Sequence, residues 1–444
     1  MNVLVVGGGA REHAICDAVC RSENIDLYSV MHNLNPGIEK LSVDYLLERE
    51  TDVNHIVDFA VNKNIDLVIV GPEAPLEGGL VNELLKKDIM ACAPTKEAAR
   101  IETDKEWMRS LLKKHGLPGQ IKYQSFTDPD EAKKFIEELD GKVAVKPIGL
   151  TGGKGVRVAG DHFSGIEDAI SYVKEVIEKK IGGKSKVLIE EKIEGEEFTL
   201  QAFSDGSTVV PLPAVQDHKR LLPDDQGPNT GGMGSYSCAD GLLPFLSREE
   251  YDKGVDILRR VVEVLDRENC RYIGPIYGQF MLTADGPKVI EINARFGDPE
   301  NMNVLPLLET DFVEICNAMF EGTLSRKKIC FRKKSTVCKY VVPEGYGIES
   351  KAGKKIDVDE DSIWREGAKL FYASVNKKNS SIFTTSSRSL AVVGISNELS
   401  EAEEICEKAL KHVHGDHIFI RHDIGTKKLI EKRIQHMKKL RGEI

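Results

Sequence analysis

The first apolar run, residues 2–6, sets four Val and Leu positions in a row behind Asn2 and stops at Gly7-Gly8-Gly9. It is too short for a helix and predicts a buried strand. Ala14, Ile15, Ala18 and Val19 then recur on one helical face. Apolar runs at 25–30, 65–70 and 89–93 predict three further strands, with helical patterns between them. This alternation predicts a parallel sheet with helices on both sides, ending near Ile101.

Thr103 opens the next helix, with Glu106 at capping-box spacing. Trp107, Leu111 and Leu112 anchor that helix, and Gly116 ends it. Residues 121–191 read as strand, loop, strand, helix, strand, the helix carrying Ile166, Ala169, Ile170, Val173 and Ile177. This is the pattern of a small α+β lobe. Strands follow to about residue 326, with a Gly/Pro/Asp-rich loop at 223–234, a helix around 251–265 and a hairpin turning at Asp285-Gly286. After Phe331 the chain reads as mostly β with one helix near 401–410, and the basic stretch 427–441 as a solvated terminal helix. The expected units are 1–102, 103–328 and 329–444.

A chain of 444 residues exceeds one core, in keeping with those units. Against 61 Lys and Arg stand 71 Asp and Glu, a net charge of −10, which disfavours nucleic acid or a membrane surface as a general partner. No apolar run approaches the ~18 residues of a membrane span. Nine cysteines without a Cys-x-x-Cys pair suggest reduced thiols. With no leader pattern before the first strand, a cytoplasmic protein is expected.

The loop Gly149-Leu150-Thr151-Gly152-Gly153-Lys154-Gly155 carries the first chemistry. So many glycines let backbone N–H groups bend around phosphate oxygens, and Lys154 adds charge. It is no Walker loop: the spacing is short, Gly155 replaces Ser/Thr, and a strand at 156–158 follows instead of a helix. A glycine loop between antiparallel strands fits a flap over a triphosphate. Lys146, on the strand before it, is placed to reach the phosphates.

In 289–293 the alternation turns Glu291 and Asn293 one way and Ile290 and Ile292 toward a core, with Gln279 beside them if the segment pairs with 278–281. Such oxygen donors suit Mg²⁺, although Glu-x-Asn alone also fits an exposed strand face. Arg295-Phe296-Gly297-Asp298-Pro299-Glu300 follows and gathers a carboxylate-binding arginine and two acids. Gln216-Asp217-His218-Lys219-Arg220 and Asn229-Thr230-Gly231-Gly232-Met233-Gly234 add polar, flexible segments upstream. At the amino end Glu12 stands where a dinucleotide fingerprint needs glycine, so NAD is disfavoured and an anion such as a sugar phosphate fits Gly7–Gly9 better. Gly71-Pro72-Glu73 ends another strand at the same sheet edge.

With these residues the chain resembles the ATP-grasp ligases and, within them, the phosphoribosylamine–glycine ligases. The likeness runs from Gly7–His13 through Val70–Leu76, Lys146 with Gly152–Gly155, Glu190-Glu191 and Gly195-Glu196-Glu197 to Arg421-His422-Asp423-Ile424-Gly425. The strings at 216–220, 228–234 and 295–300 are its most specific parts. The chain departs at Pro147–Thr151, where Ala-Asp-Gly-Leu-Ala is common, and at Met302, where Gln is common; both look like archaeal variants. His412, His414 and His417 have no counterpart and read as a surface feature.

The resemblance implies a Rossmann-like N-terminal substrate domain, a split ATP-grasp core with a mobile lid at about 121–191, and a small C-terminal domain. It implies ATP held by Lys105, Lys146, Gly152, Gly153, Lys154, Gly155, Glu190, Glu191, Ile193 and Glu197. It implies Mg²⁺ or Mn²⁺ at Glu291 and Asn293, with Gln279. Gly9, Arg11, Glu12, His13, Gly71, Pro72, Glu73, Asn229, Thr230, Gly231, Gly232 and Glu300 are then expected at the substrates, and Arg295, Asp298, Asp217 and Lys219 at the chemistry. Glycine and 5-phosphoribosylamine are the expected substrates, in a monomer or weak oligomer, with no nucleic acid or membrane partner. Another ATP-grasp ligase or carboxylase, and a nucleotide-binding regulatory protein, remain as alternatives.

Overall fold

The computed structural model describes residues 1–149 and 155–444. Its N-terminal sheet has five parallel strands in the order Asp44–Leu47, Asp26–Met31, Asn2–Val6, Leu67–Val70, Met90–Cys92. The four sequence-predicted strands are all there, and Asp44–Leu47 is added at an edge. Its residues are only half buried, so they lack the apolar run that marks the others. Strand order reverses between Asn2–Val6 and Leu67–Val70, which places Gly7–Gly9 and Gly71–Glu73 on either side of the crevice where such sheets bind ligands.

Helices Lys96–Thr103 and Lys105–Lys114 lead out of this domain. The cap of the second is Asp104, whose side chain accepts from Trp107 N at 3.0 Å, and not Thr103 as the capping-box spacing suggested. Both are good capping residues, but Thr103 still belongs to the preceding helix. Gly116 ends the helix at φ +60°, as read.

The lid is a four-stranded antiparallel sheet ordered Tyr123–Phe126, Val187–Glu191, Val143–Pro147, Arg157–Val158. Where a loop was expected, Pro129–Glu138 is a helix, capped by Asp128 with Pro129 in its first turn. It packs beside helix Ile166–Glu178 over a core of its own that includes Ile136, Val145, Val173 and Ile189. The glycine-loop residues Gly152, Gly153 and Lys154 lie outside the described residues.

The core sheet runs Val209–Pro211, Glu196–Asp205, Ile273–Thr283, Gly286–Asn293, all antiparallel. The last two form the predicted hairpin, with helix Arg248–Arg267 packed behind. Register shifts at Gln279/Phe280, so Gln279 faces Glu291 while Phe280 faces Val289. Ile290 is the extra residue of this bulge. It therefore turns to the cleft, and Val289 and Ile292 enter the core; strict alternation had sent Ile290 inward.

The C-terminal part holds two sheets. One joins Ser335–Pro343, Leu390–Ser396 and Lys369–Tyr372 to Gln216–Asp217 and Gly234–Ser237, so segments from the middle of the chain complete it. Between them the expected long loop contains a hairpin, Arg220–Leu222 with Gln226–Asn229. Besides the expected helix Leu399–Leu410 there is a short one at Glu360–Arg365. Helix Lys427–Leu440 is not freely solvated: Leu429 and Met437 are buried, Arg433 pairs with Glu196 at 3.1 Å, and Arg441 with Glu250 at 2.6 Å. Its basic residues hid an apolar stripe and a row of acidic partners. His412 and His417 face Glu366 and Glu344 separately, at 3.5 and 2.9 Å. Among the described residues no helix is long and apolar enough to cross a membrane.

Candidate active site

A cleft of about 660 Å³ opens where lid, core, N-terminal domain and C-terminal sheet meet. Its floor is the core hairpin. Glu291 and Asn293 stand there two residues apart, with Asn293 Nδ2 donating to Glu291 Oε1 at 3.3 Å. Burial opposes ionisation of Glu291 most strongly, yet the ammonium groups of Lys219, Lys146 and Lys105 together hold its carboxyl below the usual range. Three cations from three segments thus converge on one carboxylate, a field suited to polyphosphate and a divalent ion.

Each lysine is placed by a different element. Lys146, on a lid strand, pairs with Glu190 at 2.6 Å. Lys105 lies in the first turn of its helix and donates to Gly149 O at 2.7 Å; burial lowers its pKa. Lys219 follows Asp217 and pairs with Glu197 at 2.9 Å. Glu191 and Ile193 line the cleft on the lid side, Glu191 accepting from Lys122 N at 2.7 Å. Gly155 is buried, its carbonyl accepting from Tyr172 at 2.7 Å. Gln279 lies beside Glu291 as expected, but its amide is engaged: the oxygen accepts from the Tyr277 hydroxyl and Nε2 donates to Glu197 at 2.6 Å. Of the three expected donors, Glu291 and Asn293 keep an oxygen free of such engagement among the described residues.

The opposite wall is acidic. Asp217 Oδ1 is buried without a hydrogen-bond partner among the described residues, and burial, then the nearby Glu300, push the Asp217 carboxyl well above the usual carboxylate range. Glu300 accepts from Tyr277 at 2.7 Å and is likewise raised, by burial first. Two buried acids facing one another, one with a free oxygen, call for a small cation. Gly232, at φ +107°, leaves the space: a Cβ there would stand 2.8 Å from Asp217 Oδ1 and 2.7 Å from Pro299. Thr230 keeps this turn by donating to Lys219 O at 2.7 Å, and Asn229 and Gly231 line the cleft beside it. Asp298 is already satisfied, by Arg388 at 3.0 Å and by the Tyr340 hydroxyl.

Arg295 faces the N-terminal domain. It pairs with Glu102 at 2.8 Å and Glu73 at 3.4 Å and so ties the core to the N-terminal domain. Burial raises the Glu102 carboxyl to about 7, Arg295 opposing. Arg11, Pro72 and Glu73 line the cleft, while Gly9, Glu12 and Gly71 do not, the Glu12 side chain packing against both glycines. Glu12 bonds to Arg11 at 2.7 Å and accepts from Gly9 N at 2.8 Å, so its own carboxylate takes one of the N–H groups read as an anion site. His13 is not at the cleft. Two positions along the helix from Arg11 turn it to the far side, where Nδ1 accepts from Tyr372 N at 2.9 Å and burial lowers its pKa to about 4.

Sequence reasoning missed Arg109, Glu102, Tyr277 and Arg388. Only Arg109 left a signal, four residues after Lys105 on the same helical face. The role of His218 was also open. It is buried, neither ring nitrogen has a partner among the described residues, and burial, then Arg433 and Arg421, hold its pKa at about 3. An unfolded histidine titrates near ~6.5, so below that pH the unfolded chain binds a proton that the native chain refuses, and stability falls with pH down to the folded value. His218→Phe keeps the shape and loses no hydrogen bond. It should remove ~1.4 kcal/mol of that loss per pH unit across this window, read from urea unfolding at several pH values. Equal slopes for the two proteins would remove His218 from the acid response.

Models of the phosphoribosylglycinamide synthetase N domain, ATP-grasp (A) domain and C domain match residues 1–102, 103–301 and 336–427 in turn. A phosphoribosylamine–glycine ligase of Methanothermobacter thermautotrophicus is 52% identical over 442 residues, covering 100% of both chains. The crystal structure of the phosphoribosylamine–glycine ligase of Thermotoga maritima, 24% identical, superposes with a TM-score of 0.80 over 95% of this chain and 100% of that one. The biotin carboxylase domain of Hydrogenobacter thermophilus 2-oxoglutarate carboxylase, solved with MgADP and bicarbonate, shares the fold at a TM-score of 0.74 and 17% identity, covering 98% of this chain and 93% of its own. With three family domains in sequence order and a relative matched from end to end, the chain belongs to the phosphoribosylamine–glycine ligase family.

Proposed function

We propose that this chain joins glycine to 5-phosphoribosylamine, turning ATP into ADP and phosphate and forming glycinamide ribonucleotide, a step of de novo purine synthesis. The observation that carries the reading is the pairing of walls in one cleft: a lysine-rich cradle around Glu291 against the acidic pair Asp217 and Glu300. A polyphosphate suits the first and an ammonium the second.

Lys105 and Lys146 hold the ATP phosphates, aided by the glycine loop, with Glu190, Glu191, Ile193 and Glu197 around the nucleotide. Mg²⁺ or Mn²⁺ fits the ionised Glu291 carboxylate and the Asn293 amide oxygen, hard donors that leave room for water and phosphate. Bound there, it supplies charge neutralisation at the phosphates. Asp217 and Glu300 hold the glycine ammonium and so aim its carboxylate at the γ-phosphate. A carboxylate oxygen attacks the γ-phosphorus, the bond to the β–γ bridging oxygen breaks, and ADP departs from glycyl phosphate. The amine of phosphoribosylamine, held by Arg11, Glu73 and the turn 229–232, attacks the acyl carbon. Phosphate leaves with its bridging oxygen and takes up the proton that the nitrogen gives, which completes the amide. Lys219 faces the reacting groups, while Arg295 and Asp298 act from their ion pairs. Closure of the lid keeps water off the acyl phosphate. The protein works in the cytoplasm, as a monomer or weak oligomer.

The test is ADP release with Mg²⁺-ATP, glycine and phosphoribosylamine formed in place, with each omitted in turn. Turnover is expected only when all are present. Release that answers to another acid keeps the ligase and overturns the substrate. Tight ATP binding with no turnover on any acceptor points to the regulatory reading.

A further inference from the structure

Arg109 takes no part in the mechanism above, yet it is among the most buried side chains, 1% exposed. A buried guanidinium needs every donor matched. On one side its Nε donates to Glu190 Oε1 at 2.7 Å, and the other oxygen of Glu190 holds Lys146 at 2.6 Å. On the other side the two terminal nitrogens donate to Val289 O and Ile290 O, both at 2.8 Å. Those carbonyls belong to the bulge just before Glu291, where Ile290 has no residue opposite it in the ladder. A bulge leaves backbone groups unpaired, and Arg109 pairs them.

One rigid fork therefore touches the lid strand that carries Glu190 and the core strand that carries Glu291. We propose that Arg109 is a positioning residue for the nucleotide: it sets the Glu190–Lys146 pair of the lid in register with the metal carboxylate of the core. The proposal rests on the ATP-dependent reading above. Lys105 stands one helical turn before Arg109 on the same face, so a single helix delivers both a lysine for the phosphates and the residue that aligns the other. Glu190 stays ionised against its burial because Arg109 and then Lys146 oppose the burial. Without Arg109, Lys146 would hold a carboxylate with one fewer cation, on a strand no longer tied to Glu291.

The test is calorimetric binding of Mg²⁺ with a non-hydrolysable ATP analogue to the full chain, without glycine. Arg109→Met should weaken binding about 100-fold, the scale for breaking a buried pair. Arg109→Lys should recover part of that, since an ammonium can meet Glu190 but lacks the planar fork for both carbonyls. In steady state the KM for ATP should rise while that for glycine stays, and Glu190→Gln should add little in the Arg109→Met background. Analogue binding by Arg109→Met equal to that of the parent chain overturns the proposal. Equal losses of ATP and glycine affinity in a folded Arg109→Lys chain also overturn it, leaving a purely structural arginine. If Arg109→Met does not fold, Arg109→Lys decides. If the parent chain binds the analogue but ligates nothing, the ligase reading fails, and the binding comparison still judges Arg109.

Discussion

Glu291→Gln should lower ligation by about a thousandfold, ~4 kcal/mol of barrier, while ATP still binds. The substitution keeps the shape of the side chain and removes the charge on which Lys219, Lys146 and Lys105 converge. Phosphate then meets the same lysines with less competition, so nucleotide affinity without metal should hold or rise. What is lost is the ionised oxygen donor for a divalent cation beside Asn293. Turnover and metal-dependent nucleotide binding, measured on the same preparation, separate the two effects. Normal turnover in Glu291→Gln would remove the metal assignment. Loss of nucleotide binding together with turnover would instead make Glu291 an organiser of the lysines.

The second large effect is expected at the acidic wall. Asp217→Asn should raise the KM for glycine about 100-fold, the scale of a buried charge-assisted contact, with a smaller change in the KM for ATP. The pH dependence gives a sharper test. Burial and Glu300 keep Asp217 protonated above the usual carboxylate range, and an ammonium prefers the ionised form. Glycine affinity should therefore rise with pH until Asp217 is ionised in the free protein, and binding below that point should release a proton. In Asp217→Asn the rise should be shallower. Glycine titrations in two buffers of different ionisation enthalpy, repeated across pH, read both effects. A flat profile in the parent chain would place the ammonium elsewhere, as would an unchanged KM for glycine in the variant.

Much of the architecture was legible in the chain because it rests on local rules. A run such as Val3–Val6 has to be buried on both faces, which makes a parallel strand, and glycines stop it where the backbone must turn. Lys146 and the hairpin at 285–286 follow from alternation and turn chemistry, and the strings at 216–220 and 295–300 carried the family. The misreadings were small steps with large angular consequences. One bulged residue at Ile290 sent a side chain from core to cleft, and two positions along a helix took His13 from the site that Arg11 faces to the opposite side.

What the sequence by itself determined is most of the elements, the family and the residue types of each wall: lysines, hard oxygen donors and acids. The tertiary structure alone decided which charges are already spent. Arg295 is paired with Glu73 and Glu102, and Asp298 with Arg388, while Asp217 keeps an oxygen with no partner among the described residues. It also decided that Arg109 spans lid and core. The physical reason is range: periodicity and turn propensity act between neighbours in the chain, whereas ion pairs and desolvation depend on residues up to hundreds of positions apart that only the packed domains bring within 3 Å, as Arg295 and Glu102 are.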